Sequence, residues 1–201
     1  MASETVTPLS PPIVLHFGPV LSRLSDLEFS EFCRVNPDWR IEQTQDGDLV
    51  IMPPTGGETG RRSLNLGAQL HIWSGREGTG VSFDSSTLFR LPSGAKRSPD
   101  ASWVRRQRWE ALSEEEREQF PPLAPDFVVE LRSKTDSIED LRAKMREYIQ
   151  NGSQLGWLID PYARRVEVYR PGHEPLILDN PPTLSADPEL PGFVLDLEPI
   201  W

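Results

Sequence analysis

The sequence contains one cysteine and three histidines, and this scarcity excludes several kinds of site. Cys33 has no second cysteine with which to form an intramolecular disulfide, and we interpret it as a buried thiol. His16, His71 and His173 are scattered without the spacing of metal ligands, and we interpret His71 as a packing residue of a helix. The sequence also has no Cys-x-x-Cys pair, no Walker loop and no Gly-x-Gly-x-x-Gly turn after a strand, which argues against zinc-thiolate, P-loop and dinucleotide sites.

Long apolar runs are also absent, and so is a basic leader. Residues 1–19 have no basic start before their apolar residues, and Pro11, Pro12 and Pro19 would break the apolar core of a signal peptide. No run approaches the ~20 apolar residues that a membrane helix requires. We therefore expect a cytoplasmic protein with no membrane partner.

Basic residues are in deficit, with 21 Lys and Arg against 31 Asp and Glu, a formal net charge of −10. A negative net charge disfavours a protein that binds nucleic acid through its overall electrostatic field, although local basic clusters can still contact phosphates. A carboxylate-rich metal site would contribute part of the negative charge, which the bound cation would offset. We interpret each basic cluster as a solvated surface group: Arg61–Arg62, Lys96–Arg97, Arg105–Arg106 with Arg108, and Arg164–Arg165.

Prolines and glycines, 20 and 14 of them, are spread through the chain between apolar segments, which is typical of a loop-rich globular fold. We predict a proline-rich lead over residues 1–20 and a single domain over residues 21–201. Periodicity and turn residues predict helices at 25–36, 60–73, 114–118 and 137–150, and strands at 39–43, 49–52, 81–83, 88–91, 101–104, 127–131, 155–159 and 166–169. This order predicts an α/β fold with a mixed sheet flanked by helices. Trp103 and Trp157 lie in predicted strands and are expected in the core or a dimer interface.

Three residues call for a chemical explanation: Asp100 after Pro99, Glu130 inside an apolar strand, and Lys144 on the following helix. A carboxylate among apolar neighbours costs several kcal/mol to bury unless a cation, a proton or hydrogen bonds compensate it. A divalent cation is one such partner, because Mg²⁺ prefers one or two carboxylates together with waters and phosphate oxygens. The helical period places both Lys144 and Arg142 at edges of the apolar stripe, and periodicity alone does not choose between them.

The sequence resembles the Uma-two family of restriction endonuclease-like proteins, which have the PD-(D/E)-X-K nuclease fold. The resemblance extends from about Ser25 to Trp201. It rests on four ordered motifs: residues 46–54 (DGDLVIMPP), 98–103 (SPDASW), 125–133 (PDFVVELRS), and the helix-to-strand run from Lys144 through Tyr148 and Gly152 to residues 156–161 (GWLIDP).

This resemblance implies a restriction endonuclease-like mixed sheet with an N-terminal helix and β-hairpin extension. It implies that Asp100 and Glu130 bind Mg²⁺ or Mn²⁺ and that Lys144 assists hydrolysis of DNA phosphodiester bonds. We also expect the protein to form a homodimer. Glu42 resembles a recurrent acidic residue of the first hairpin and is a candidate outer ligand, and Asp84 is a weaker candidate.

One position departs from the parent motif, which places a lysine two residues after the glutamate. Arg132 occupies that position here, and an arginine cannot act as a general base at neutral pH because it does not deprotonate. Similar relatives carry the lysine on the following helix, four residues before a tyrosine, as Lys144 and Tyr148 are spaced here. Many members also have a histidine near Glu58, which this chain lacks.

Two other functions fit part of this pattern. A catalytically silent nuclease-fold module that binds protein or nucleic acid would explain the acidic composition, since a shared fold indicates architecture more reliably than activity. Paired carboxylates could also serve a glycoside hydrolase, but that chemistry does not require the lysine. The presence of Asp100, Glu130 and Lys144 together favours the nuclease.

Overall fold

The computed structural model describes residues 10–18 and 23–201, which form a mixed β-sheet flanked by helices, as predicted. The helices are α1 (Asp26–Val35), α2 (Gly57–Glu77), α3 (Arg106–Glu110), α4 (Glu114–Glu118) and α5 (Ile138–Gln150). The strands are β1 (Ile13–Leu15), β2 (Arg40–Gln43), β3 (Leu49–Met52), β4 (Gly80–Asp84), β5 (Phe89–Arg90), β6 (Lys96–Arg97), β7 (Ala101–Arg105), β8 (Phe127–Leu131), β9 (Leu155–Asp160), β10 (Arg165–Tyr169), β11 (Leu176–Asp179), β12 (Thr183–Ser185) and β13 (Val194–Asp196).

The central sheet has six strands in the order β11-β10-β9-β8-β7-β4. β8 and β9 are parallel and the other pairs are antiparallel, so the connection between β8 and β9 must cross over the sheet, and α5 makes that crossing. Phe127 and Val129 pack with the core under α2, whereas Val128 packs with Met145 of α5. Coverage on both faces explains why β8 is a continuous apolar run.

A second sheet of five strands, in the order β1-β3-β2-β6-β5, lies in the N-terminal half. Its centre is the predicted hairpin, in which β2 and β3 pair on either side of the Asp46-Gly47 turn. Gly47 has φ of 96°, a left-handed conformation that glycine adopts without strain. β6 pairs with β2 through Lys96 and Gln43, so the hairpin is attached to the segment that leads into Asp100.

Capping residues mark the ends of several helices. Ser25 and Glu28 form the predicted capping box of α1, and Ser113 and Glu116 form the same box on the short, exposed α4. α2 is longer than predicted, because it ends only at Gly78, whose left-handed φ of 66° closes its last turn. Among the described residues, no helix is long and apolar enough to cross a membrane.

The C-terminal strands β11, β12 and β13 were not predicted from the sequence. β12 and β13 form a two-stranded sheet, and Leu184, Phe193 and Leu195 from this region complete the core under α2. β1 lies within the proline-rich lead and pairs with β3. The rest of the lead, residues 1–9 together with 19 and 20, lies outside the described residues, and the division into lead and domain stays a prediction.

Three predictions about single side chains are wrong. Lys96 and Arg97 are not a solvated pair: they are 1% and 8% exposed, because β6 is sandwiched between β2 and β5. Cys33 is only half-buried, at the margin of the cluster around Phe29, and this burial raises the pKa of its thiol. His71 is exposed rather than packed, and its Nδ1 lies 3.0 Å from Ser82 Oγ.

The other side-chain predictions have mixed outcomes. Trp103 and Trp157 lie in the core as expected. Arg105 has an exposed side chain, as predicted for its cluster, whereas Arg62 is largely covered and lies over the Tyr162 ring.

Candidate functional site

Asp100 and Glu130 come together where β7 begins and β8 ends. The antiparallel ladder of β7 and β8 ends with the pair Ala101 and Val129, and Asp100 and Glu130 are the next residues beyond that pair. Asp100 Oδ2 also accepts a hydrogen bond from the Leu131 backbone N–H at 2.8 Å, which fixes the carboxylate beside the end of β8.

Lys144 reaches this point from α5. Its Nζ lies 2.9 Å from Glu130 Oε1, 2.9 Å from Glu42 Oε1 and 3.3 Å from the Ser98 carbonyl oxygen, and only 7% of the residue is exposed. Arg142, the alternative that periodicity left open, instead pairs with Glu167. The structure therefore places Lys144, and not Arg142, beside Glu130.

Tyr148 contacts the same carboxylate from one turn further along α5. Its buried hydroxyl donates a hydrogen bond to Glu130 Oε1 at 3.0 Å. Burial and the neighbouring carboxylate of Glu130 raise the pKa of this phenol well above its usual value, so it stays protonated and remains a donor.

Glu42 is fully buried on β2 and links the five-stranded sheet to α5. Oε1 accepts from Lys144 Nζ and, at 3.0 Å, from the Ser98 backbone N–H, while Oε2 accepts from Arg97 Nη1 at 3.2 Å. Glu42 therefore contacts Lys144 directly.

Sequence reasoning missed Arg97 and Glu147, which complete this arrangement. Arg97 Nε donates to Glu147 Oε2, and Glu147 Oε1 accepts from the Gln45 backbone N–H at 3.0 Å. Two signals were present: Arg97 directly precedes the Ser98-Pro99-Asp100 motif, and Glu147 lies one turn after Lys144. We call the whole set the charge cluster: Glu42, Arg97, Asp100, Glu130, Lys144, Glu147 and Tyr148.

The pKa values of the carboxyl groups in the cluster are shifted in different directions. Burial, which the charges of Asp100 and Glu42 reinforce and Lys144 opposes, raises the pKa of Glu130 to about 7. Burial also raises the pKa of Asp100. Burial acts on Glu42 in the same direction, but Lys144 and Arg97 outweigh it, and its pKa is lowered. Burial alone would lower the pKa of Lys144, but Glu130 and Glu42 raise it, so the ammonium stays charged.

An open groove leads to Asp100 from the side of α2. Its cavity volume is about 550 Å³, and Gly67, Ala68 and His71 of α2 line one wall, with Ser82 and Asp84 of β4 opposite. Small side chains on α2 keep the groove wide. Of the cluster residues, Asp100 is the one that lines it.

Residues 26–198 match the model of the Uma2 family, described as "Putative restriction endonuclease". The chain belongs to this family. The fold of the Uma2 chain is also that of a solved protein from Anabaena variabilis, described as "a putative nuclease belonging to DUF820", with a TM-score of 0.73. The two are 20% identical, and the match covers 86% of this chain and 94% of that one.

Other comparisons add little. A chain of a DrdV–DNA complex is 12% identical, and the match covers 60% of this chain and 10% of that one, but its TM-score of 0.37 is too low to support an inference. No curated protein matches the chain significantly. Membership of the Uma2 family supports a nuclease function, and nucleases of this fold generally use divalent metals.

The carboxylates of the Uma2 cluster fit a hard divalent cation. No group of three His, Cys, Asp or Glu side chains is arranged to hold a metal in residues 10–18 and 23–201. Mg²⁺ in proteins is bound through one or two carboxylates, keeps several waters and takes oxygens from a phosphate, and the residues that would hold such an ion here are Asp100 and Glu130. Carboxylates outnumber cations in the cluster, so a bound cation would offset buried negative charge.

Two secondary candidates of the Uma2 chain lie outside the charge cluster. Asp84 is exposed, and its Oδ1 accepts hydrogen bonds from Ser86 and Thr87 in the turn after β4, although it lines the same groove as Asp100. Arg132 donates to Asp160 Oδ2 at 2.8 Å. Of the four secondary candidates, Glu42 and Tyr148 join the cluster, and Asp84 and Arg132 do not.

Proposed function

We propose that this protein is a metal-dependent endonuclease that hydrolyses phosphodiester bonds of DNA, with Asp100, Glu130 and Lys144 as its catalytic residues. The observation that supports this most is the position of Lys144, whose Nζ lies 2.9 Å from Glu130 Oε1, at the end of β8 where the Leu131 N–H holds the carboxylate of Asp100. Two oxygen ligands with an adjacent ammonium are the groups that cleavage of a phosphodiester requires.

Asp100 and Glu130 would hold Mg²⁺ or Mn²⁺, which supplies Lewis acidity toward a water and the phosphate oxygens. Asp100 is oriented for this by the Leu131 N–H, and Glu130 by the Tyr148 hydroxyl. Lys144 would donate hydrogen bonds to the attacking water or to the negative oxygen that develops on phosphorus.

Lys144 is held for that task by Glu42. Glu42 pairs with Arg97 as well as with Lys144, and these two cations keep its carboxylate charged. Glu42 would therefore still hold the Lys144 ammonium when Glu130 binds the metal ion. We assign Glu42 a positioning role in place of the outer-ligand role that the resemblance suggested. The ion pair of Arg97 and Glu147 holds the five-stranded sheet, which carries Glu42, against α5.

The test is cleavage of plasmid and short linear DNA with Mg²⁺ or Mn²⁺, and with EDTA. Asp100→Ala and Glu130→Ala should each reduce cleavage by roughly 100-fold or more, since loss of an outer partner of a metal ligand already costs about 10- to 100-fold. Asp84→Ala is the matched control, because it removes a carboxylate from the same groove outside the charge cluster. Cleavage that persists in EDTA or in Asp100→Ala contradicts the proposal.

A catalytically silent module is the second candidate. Lys144 already neutralises Glu130 and Glu42, so the cluster is partly compensated without a metal ion. In that case no divalent ion would change any nucleic acid, and calorimetry would detect no metal binding.

A further inference from the structure

Most cations near the site are already paired with carboxylates. Lys144 contacts Glu42 and Glu130, and Arg97 contacts Glu42 and Glu147. A substrate phosphate would have to compete with these partners for the positive charge.

Arg40 is the exception. As the first residue of β2 it shares a face with Glu42, and its side chain points toward the segment before Asp100, where Nη2 donates to the Ser98 carbonyl oxygen at 3.3 Å. Lys144 Nζ lies 3.3 Å from the same oxygen, so the guanidinium and the ammonium meet at one atom.

The hydrogen bonds of Arg40 are incomplete. Its Nε is buried and has no hydrogen-bond partner in the part of the chain that the structure describes, and no carboxylate there forms an ion pair with the guanidinium. A buried N–H group without a partner costs free energy, and such groups in folded proteins call for an explanation.

We propose that Arg40 binds a phosphate of the nucleic acid beside the bond that is cut, and this rests on the proposed function. The planar guanidinium presents two parallel N–H groups that match two oxygens of a phosphate, a geometry that lysine cannot reproduce. In a chain with net charge −10, such a local cation is needed to hold a polyanion at the site. Lys144, with its two carboxylates, then serves the reacting atoms while Arg40 positions the backbone.

The test measures binding apart from cleavage. Fluorescence anisotropy of labelled duplex DNA is recorded over a KCl series for the full chain carrying Glu130→Ala, which prevents cleavage. Arg40→Gln is then added to this parent. Loss of one phosphate contact should reduce the slope of log binding constant against log salt by about 0.9 and weaken binding at low salt. A purely structural role for Arg40 would not change that slope.

Arg105→Gln is the control, because it removes the same charge at the opposite end of β7 from Asp100, where the side chain is 53% exposed. The control should keep the slope of the parent. Arg40→Lys should also keep the slope, since it retains the charge, but should bind more weakly than the parent because the two-pronged contact is lost. Melting temperatures of all variants show whether each one is folded.

The outcomes separate the two proposals. If the parent binds DNA and the wild type cuts it, but Arg40→Gln has the parent's slope, the role of Arg40 is wrong and the proposed function stands. Equal affinity of Arg40→Lys and the parent overturns the two-pronged contact of the guanidinium with the phosphate, even where Arg40→Gln does not fold. If the parent does not bind DNA and the wild type does not cut it, both proposals fail.

Discussion

Glu130 is a carboxylate in a strand whose other four residues are apolar, and all five are buried. Burial in an apolar strand raises its pKa to about 7, and Lys144 and Tyr148 hydrogen-bond to a single one of its oxygens. The folded protein retains this unfavourable carboxylate in its core. We interpret that as stability given up for a functional group, which is common at functional sites.

Glu130→Gln should therefore stabilise the metal-free protein at high pH. A raised folded-state pKa means that the folded state binds more protons than the unfolded state between about 4.5 and 7, so stability falls as pH rises through this window. At about 1.4 kcal/mol per pKa unit, the penalty above pH 7 is up to about 3 kcal/mol, and the variant lacks it. Urea unfolding in EDTA at pH 8 should show the gain, and at pH 4.5 it should vanish.

The pH dependence is the decisive part of that experiment. A gain that is the same at pH 4.5 and pH 8 would indicate better packing rather than removal of a charge. A loss of stability at pH 8 would mean that the ion pair of Glu130 with Lys144 stabilises the fold by more than burial of the Glu130 charge destabilises it.

Single residues were predictable where their sequence context is unusual. Glu130 stands out because its neighbours are apolar, whereas Lys144 and Tyr148 were selected by their resemblance to the lysine and tyrosine of the family, since periodicity left Arg142 as an equal choice. Arg97 and Glu147 were not found from the sequence. They contact each other between a short strand and a helix, and the two residues are 50 positions apart in the chain. Local patterns carry no information about such a pair.

At the scale of elements, the structure follows the sequence wherever a turn or cap is explicit. The hairpin around Asp46-Gly47, the helix capped by Ser137 and the apolar strand β8 were all predicted. β6 was missed because its two residues, Lys96 and Arg97, are basic and too few to show alternation. β11 to β13 are three or four residues long, too short to show a period in the sequence, and Leu178, Leu184 and Leu195 from them pack in or against the core under α2.

Two glycines should respond oppositely to substitution by alanine. A Cβ at Gly80 in β4 would lie 2.2 Å from Trp103 Cε2 and 2.4 Å from the Val104 carbonyl oxygen. Gly80→Ala should destabilise the protein by roughly 1–3 kcal/mol, because neither the ring nor the backbone can move freely. A Cβ at Gly75 on exposed α2 meets nothing within 4 Å, and Gly75→Ala should stabilise the helix by about 0.5–1 kcal/mol.

Thermal or urea unfolding of the two variants checks the packing of β4 against β7. The ladder of these two strands ends at Ala101, directly after Asp100, so the same packing supports the site. If Gly80→Ala is as stable as the wild type, the close approach of Gly80 to the Trp103 ring is incorrect.

At the scale of the whole molecule, the negative net charge opposes the binding of a polyanion at the site. A net charge of −10 repels a polyanion, while the groove beside Asp100 is the place where one would have to bind. A divalent cation at the site would reduce this repulsion at the point where the polyanion would bind. The homodimer and the cytoplasmic location stay predictions, and sedimentation of the purified protein would test the first.

Metal binding should be visible in the stability of the entire fold. An ion that binds the folded state alone stabilises it by about 2.7 kcal/mol at 100 times its dissociation constant, which raises the melting temperature. Wild type and Asp84→Asn should both show this rise on addition of Mg²⁺ or Mn²⁺, and Asp100→Asn should show little of it. Both variants lose one carboxylate from the same groove, so general screening of the acidic surface affects them equally. Equal rises in all three proteins would place the cation outside the pair of Asp100 and Glu130.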